Sequence, residues 1–249
     1  MPTALITGPT AGIGYAFATA LASEGFDLTL VSRNDLRLQQ VAEEMSHRHR
    51  VVCQVLPADL ADAEATRRVE QRLIDQPVDV LVNNAGFGLH KSFEDNSIDA
   101  EQRGLDVLVG AVLRLTHAAL PGMLARGSGD VINVSSVAGF LPRGTYGAHK
   151  AWVTSFSTWA HLHYQARGLR VMALCPGFVH TEFHARMDAD LSGIPRWMWL
   201  EPDGVVTQAL ADLRRGKAVS VPSKRYRTLV GVARLAPRRV VERVARRGR

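Results

Sequence analysis

The chain has 249 residues, 46% hydrophobic and 22% charged, with a formal net charge of +6, an ordinary composition for one sizeable globular domain with a buried core. Residues 224–249 hold ten Lys or Arg against one acid, Glu242; the basicity therefore belongs to a tail, the body is slightly acidic, and a nucleic-acid-binding domain is not expected. The two cysteines, Cys53 and Cys175, form no C-x-x-C pair or disulfide framework; "MPTALITGPT" lacks a signal-peptide pattern, and no run comes near the roughly 18 apolar residues of a spanning helix, so a cytoplasmic setting is expected.

In chain order, "TALITG" is a short β-prone run ending in glycine, and "AGIGYAFATALASEG" has helical periodicity closed by Gly25. "FDLTLVSR" predicts a second strand and "LRLQQVAEEMSHR" a second helix; "RVVCQVLPADL" and "AEATRRVEQRLID" repeat the pair. "VDVLVNNAG" is a fourth strand, a long helix covers roughly residues 99–126, and "GDVINVSS" is a fifth strand. A helix around Tyr146, a sixth strand "LRVMALCPG" and a helix "GVVTQALADLRRG" follow. Strands that alternate with helices, several of them apolar throughout, form a parallel sheet covered on both faces. The expected fold is α/β, a single doubly wound domain over residues 1–223 with an insertion at about 182–203, followed by a basic helical tail at 224–249.

Thr7-Gly8-Pro9-Thr10-Ala11-Gly12-Ile13-Gly14 joins the first strand to the first helix. Glycines there let the backbone turn tightly and approach a pyrophosphate, whose charge faces the positive end of the helix. The spacing is G-x-x-x-G-x-G, not the usual dinucleotide G-x-G-x-x-G. Farther along, "GTYGAHK" places Tyr146 and Lys150 one helical turn apart on a shared face. An ammonium near a phenol favours the phenolate and lowers the phenol pKa toward the working range, although a solvated helix face also carries such pairs.

T-G-x-x-x-G-I-G, then "NNAG" at 83–86, then Ser136, Tyr146 and Lys150, then "PGFVHT" at 176–181 occur in an order that resembles the short-chain dehydrogenase/reductase family over about residues 3–220. The resemblance implies a Rossmann-type fold, a nicotinamide cofactor and catalysis by Ser136, Tyr146 and Lys150. Tyr146 would exchange a proton with the substrate oxygen and Ser136 would stabilise the charge growing there. Lys150 would bind the nicotinamide ribose and lower the tyrosine pKa, and Ser136, not Ser135, would face the site. By the same resemblance Gly8, Thr10, Gly12, Ile13 and Gly14 bind the cofactor's phosphates, and Asp59 and Leu60 hold the adenine. Asn83, Asn84, Ala85 and Gly86 support the cofactor, Pro176 and Gly177 adjoin it, and Val179 and Thr181 contact its amide and phosphate. At the end of the second strand, "VSRND" offers Arg33 where an acid would bind a ribose hydroxyl; a guanidinium suits a 2′-phosphate, so NADP(H) is expected.

The chain departs from the family at two places. Leu108 stands in "LDVLVGAVLRLTH" where the family has an asparagine that helps hold a water linking the lysine to solvent; a leucine cannot hold it, so either another group carries the relay, or turnover is reduced, or the chain has been altered. His149 replaces a small hydroxyl residue and, as the neighbour of Lys150, points elsewhere on the helix. No metal is expected: His180 and His184 in "HTEFH" have Glu182 between them and not the H-E-x-x-H order, and His161 and His163 lie on nearly opposite faces of a helix. With Trp159 and Tyr164 these last two suit a subunit interface, since the family commonly pairs subunits there, giving a homodimer or homotetramer. The basic tail reads foremost as a solvated helix packed by its valines, ahead of a peripheral membrane contact or a cap on the pocket.

The functional expectation is an NADP(H)-dependent carbonyl reductase or alcohol dehydrogenase. Phe183, Met187, Leu191, Ile194, Trp197, Met198, Trp199 and Leu200 in the insertion suit a hydrophobic ketone. The alternatives are a cofactor-binding protein with weak or altered turnover, favoured only by Leu108, and an imine reductase, which the same hydride geometry would serve.

Overall fold

Apolar strands dictate the layers. In the computed structural model, which describes residues 1–89, 91–142, 144–182 and 193–235, β1 (Thr3–Thr7) buries four of its five residues and β2 (Asp27–Ser32) four of six. Strands buried on both faces need helices on both sides. One side is covered by α1 (Gly12–Ser23), α2 (Asp35–His49) and α7 (Pro202–Arg214), the other by α3 (Ala63–Asp75), α5 (Ala111–Arg126) and α6 (Gly144–Tyr164). Local chemistry starts two of these helices: the Asn34 side chain accepts from Arg37 N at 3.1 Å, and Asp62 accepts from Glu64 N and Ala65 N at 2.6 and 3.2 Å.

The remaining strands are β3 (Cys53–Pro57), β4 (Val80–Asn83), β5 (Gly129–Val134), β6 (Leu169–Leu174) and β7 (Val219–Ser220). All seven run parallel in the order β3-β2-β1-β4-β5-β6-β7. The chain builds outward from β1 to β3, then crosses back to place β4 on the other side of β1. That reversal opens a crevice beyond the carboxyl ends of β1 and β4, where the glycine loop and "NNAG" both begin. The fold is the doubly wound, Rossmann-type sheet expected from the sequence.

Three features differ from expectation. β7 is only two residues long, too short to show a period. The long helix is α4 (Ile98–Leu105), a π-helical turn over Asp106–Gly110, and α5 in continuous succession. Over an 18-residue window its mean hydropathy is 1.6, so by length and composition this helix would span a membrane, contrary to the expectation that none comes near. Half of that window is buried inside the domain, where Val107, Ala111, Leu115 and Met123 join the core beside α3 and the sheet; the apolar run is that of a core helix. Finally, the helix expected from residue 224 is α8 (Lys224–Leu235), and it joins the core, packing Tyr226 and Val230 against Ala173, Cys175 and Val221. The tail from 236 onward, with Phe183, His184, Met187 and Leu191, lies outside the described residues.

Candidate active site

The crevice at the switch point widens into a cleft of about 1940 Å³. Its floor is tied together at the ends of β1 and β4. Thr7 Oγ1 accepts from the amides of Asn84 and Ala85, both at 2.9 Å, and Asn84 Nδ2 donates to the carbonyls of Thr7 and Gly8 at 2.9 and 3.0 Å. Gly14 makes the turn possible: a Cβ there would sit 2.1 Å from the Gly8 carbonyl oxygen. At the start of α1 the cap position, Ala11, offers no side-chain hydrogen bond, and the first turn has no acid. The leading amides of that helix thus remain available to an anion, and the residues fit a pyrophosphate.

Of the residues expected to bind cofactor, Gly8, Thr10, Gly12, Ile13, Arg33, Asp59 and Leu60 line the nucleotide half, with Asn84, Ala85 and Gly86 beside them. Pro176, Gly177, Val179 and Thr181 line the far side. Two do not reach the cleft wall. Gly14 acts from beneath, as described. Asn83 is buried at the end of β4, where its Nδ2 donates to Thr116 Oγ1 at 3.1 Å and to Asn133 Oδ1 at 2.8 Å; it braces the sheet against α5, while Asn84 lines the cleft.

Cations gather around the β2 and β3 ends. Arg33 is exposed at the cleft, and Arg103 donates to Asp59 Oδ2 at 2.6 Å. Burial pushes the Asp59 carboxyl up, but the Ala61 amide, Arg103 and Arg33 outweigh it and hold the group below its usual range. Arg37, missed in the sequence, also lines this end and forms a two-pronged ion pair with Glu182 across the cleft edge.

At the other end, Ser136 caps a 3-10 turn (Val137–Phe140), its Oγ accepting from Ala138 N at 3.1 Å, while the turn is fastened by Val137 N donating to Pro176 O at 3.0 Å. The Ser136 hydroxyl is hydrogen-bonded to the Tyr146 hydroxyl, and both line the cleft. Ser135 is turned away and buried, bonded to Lys150 O at 2.7 Å and Thr154 Oγ1 at 2.8 Å. Lys150 Nζ lies 5.7 Å from the centre of the Tyr146 ring and donates to the Val134 carbonyl at 2.7 Å.

The expected lowering of the tyrosine pKa is not what this arrangement produces. Burial pushes the Tyr146 phenol above its ordinary range, against a lowering by the Ser136 hydrogen bond. Lys150 is itself brought down to about 8 by burial. Desolvation is the largest influence on both groups, and the ammonium is held by a backbone carbonyl.

Leu108 sits in the π turn, 1% exposed, and packs by Gly86: a Cβ on Gly86 would lie 2.9 Å from Leu108 Cδ2 and 3.9 Å from Lys150 Nζ. His149 does not line the cleft; it leans on α4, where a Cβ on Gly104 would meet its Cε1 at 3.6 Å. His180 stacks on Trp199 at 4.8 Å, and its expected counterpart His184 is outside the described residues. The cleft is also lined by Phe87, Leu89, Phe93, Phe140, Leu141 and Met198, with Lys91, Ser92 and Glu94 among them.

Residues 2–192 match the family model described as short chain dehydrogenase. The chain is similar to the very-long-chain 3-oxoacyl-CoA reductase of Anas platyrhynchos, 34% identical over 189 residues; the match covers 72% of this chain and only 60% of that relative's length. Among solved structures it is similar to a short-chain dehydrogenase from Sphingobium yanoikuyae in complex with NADPH, with a TM-score of 0.86, 32% identity and 94% of each chain covered. It is also similar to the bulky-bulky ketone specific alcohol dehydrogenase from Comamonas testosteroni, with a TM-score of 0.82, 28% identity and 96% of each chain covered. With the glycine loop, Ser136, Tyr146 and Lys150 arranged around one cleft and the family model matched over most of its length, the chain belongs to the short-chain dehydrogenase family.

Proposed function

We propose that the chain is an NADP(H)-dependent oxidoreductase that interconverts a hydrophobic ketone and its secondary alcohol, with Tyr146 as proton donor and acceptor. The observation that carries this reading is that Ser136, Tyr146 and Lys150 line one cleft together with the phosphate loop and with apolar side chains such as Phe87, Phe140 and Met198. The NADPH complex of the Sphingobium relative and the bulky ketones of the Comamonas relative support it. Arg33 at the cleft edge, with no acid in its place, supports the phosphorylated cofactor.

When bound, the nicotinamide supplies a hydride to the carbonyl carbon. Tyr146 gives its proton to the carbonyl oxygen; the buried phenol is protonated at neutral pH, and the alkoxide charge growing on the substrate oxygen is basic enough to take that proton. Ser136, already paired with that hydroxyl, steadies the oxygen as negative charge grows on it. The Lys150 ammonium then stabilises the phenolate that remains.

The test is NADPH oxidation with a panel of ketones by the purified protein, beside Tyr146→Phe. Ketone-dependent oxidation that the variant loses supports the reading; a variant with wild-type turnover overturns the proton-donor role. A second reading, a cofactor-binding protein with little turnover, is favoured by Leu108 alone, and tight NADPH binding with no ketone reduced would select it. We further propose that subunits pair through α6 in a cytoplasmic homodimer or homotetramer. Trp159 and Leu162 stand 52% and 65% exposed there, more than a solvated helix needs, and light scattering would decide the state.

A further inference from the structure

Three contacts anchor α8 at the cleft. The Tyr226 ring lies so close to Gly177 that a Cβ there would be 1.9 Å from the Tyr226 Cζ. Its hydroxyl accepts from Phe178 N at 3.1 Å and donates to Met198 O at 2.8 Å. Arg225 donates to Trp197 O at 2.6 Å, with its guanidinium 5.8 Å from the centre of the Trp197 ring. One buried phenol thus joins the loop after β6, the later part of the insertion, and α8.

So anchored, α8 presents Leu229, Val232 and Ala233 to the cleft, spaced as residues that share a helix face. Leu229 is 48% and Val232 62% exposed. This apolar surface is spent on the cleft, while the neighbouring cations Lys224, Arg225 and Arg227 do not line it. An apolar group lying on that wall would be drawn from water in proportion to the area it covers.

We infer that α8 is the distal wall of the carbonyl site: Leu229 and Val232 select substrates with a large apolar arm on the carbonyl carbon, and Tyr226 is the positioning residue that holds the wall. The inference rests on the carbonyl-reductase reading above. Met198, tied to Tyr226, lines the same cleft from the opposite segment, so the latch sets the gap into which the arm must fit.

The experiment compares hexanophenone with butanone, using NADPH and the full chain, for wild type, Leu229→Ala/Val232→Ala and Tyr226→Phe. The double variant should lower the ratio of kcat/KM values, hexanophenone over butanone, by about tenfold or more, since single methylene groups in apolar pockets already count for about tenfold. Tyr226→Phe keeps the ring on Gly177 but loses both hydrogen bonds; KM for hexanophenone should rise while its kcat stays near wild type. An unchanged ratio in the double variant overturns the wall, and a lowered melting temperature with unchanged KM in Tyr226→Phe overturns the latch. If wild type reduces butanone but neither reduces nor binds hexanophenone, the wall fails and the reductase reading stands. If no ketone is reduced, quenching of NADPH fluorescence by hexanophenone binding is measured instead: loss of that binding in the double variant upholds the wall without the reaction, and equal binding overturns it.

Discussion

Leu108→Asn tests two accounts of the place where this chain departs from its family. In the first, a missing asparagine has broken a water relay to Lys150, and restoring it raises turnover. In the second, the neighbourhood is packed for a leucine. The geometry favours the second: Leu108 is 1% exposed, touches the Gly86 position beside Lys150, and is one of two buried residues, with Val107, in its π turn. Removing a fully buried leucine forfeits about 1.5–3 kcal/mol of transfer free energy, and an amide without partners there costs about 1–3 kcal/mol more. The sum is about 2.5–6 kcal/mol. For a chain of this length each kcal/mol moves Tm by about 2–4 °C, so the melt should fall by roughly 5–24 °C. No rise in kcat is expected, because Lys150 already donates to Val134 O at 2.7 Å and Leu108 Cδ2 packs against the neighbouring Gly86. A circular-dichroism melt and steady-state kinetics with NADPH measure both. An unchanged Tm with a higher kcat at constant KM would refute the packing account and restore the relay.

Tyr146→Phe should lower kcat for ketone reduction by about 10²- to 10⁴-fold, the usual contribution of a positioned general acid, while NADPH titration by fluorescence stays near wild type. Arg33→Asp should weaken NADPH and improve NADH, since a charge-assisted hydrogen bond of about 1.5–3 kcal/mol is lost and a ribose hydroxyl gains an acceptor; equal preference before and after would place the 2′-phosphate elsewhere, with Arg37 the nearest candidate. Lys150→Met should change the pH dependence of stability in the cofactor-free protein. The folded-state pKa of about 8 lies below the unfolded value of about 10.4, so between those limits the unfolded chain binds the extra proton. Stability from this group therefore rises with pH across that window, by about 3 kcal/mol in all. Wild type should gain relative to Lys150→Met in chemical denaturation from pH 8 to 10, and parallel curves would show that Lys150 does not titrate there.

The sheet and the phosphate loop were legible because their signals are local. A strand buried on both faces must be apolar throughout, and a loop that passes its own carbonyl at Gly14 must have glycine. Signals that depend on distant partners were not legible. "NNAG" offers two asparagines with the same chemistry, and only the pairing of Asn83 with Asn133 across β4 and β5 turns the first into the core and leaves the second at the cleft. The π turn has no composition of its own, and two residues of β7 have no period. In the tail, charge density drew the reading toward solvent. The charges and the apolar residues of α8 answer to different faces of one helix, and the helix is placed by a phenol that reaches back to residues 28 and 48 positions earlier.

The tyrosine–lysine pair marks where motif reasoning needs the surrounding fold. Spacing alone puts a cation beside a phenol and argues for a lowered pKa; the fold adds desolvation, which raises the phenol and lowers the ammonium. These opposing effects are compatible with one catalyst because they act at different moments. Before reaction the site needs Tyr146 protonated, and burial secures that. After the proton has moved to the substrate oxygen the phenolate is the charged species, and in a desolvated site a neighbouring cation stabilises it more strongly than water-exposed groups would allow. The cost of burying Lys150 without a counter-charge is thus tied to a benefit realised only when the phenolate forms. That is why the wild-type protein should be less stable than Lys150→Met at neutral pH and far more active.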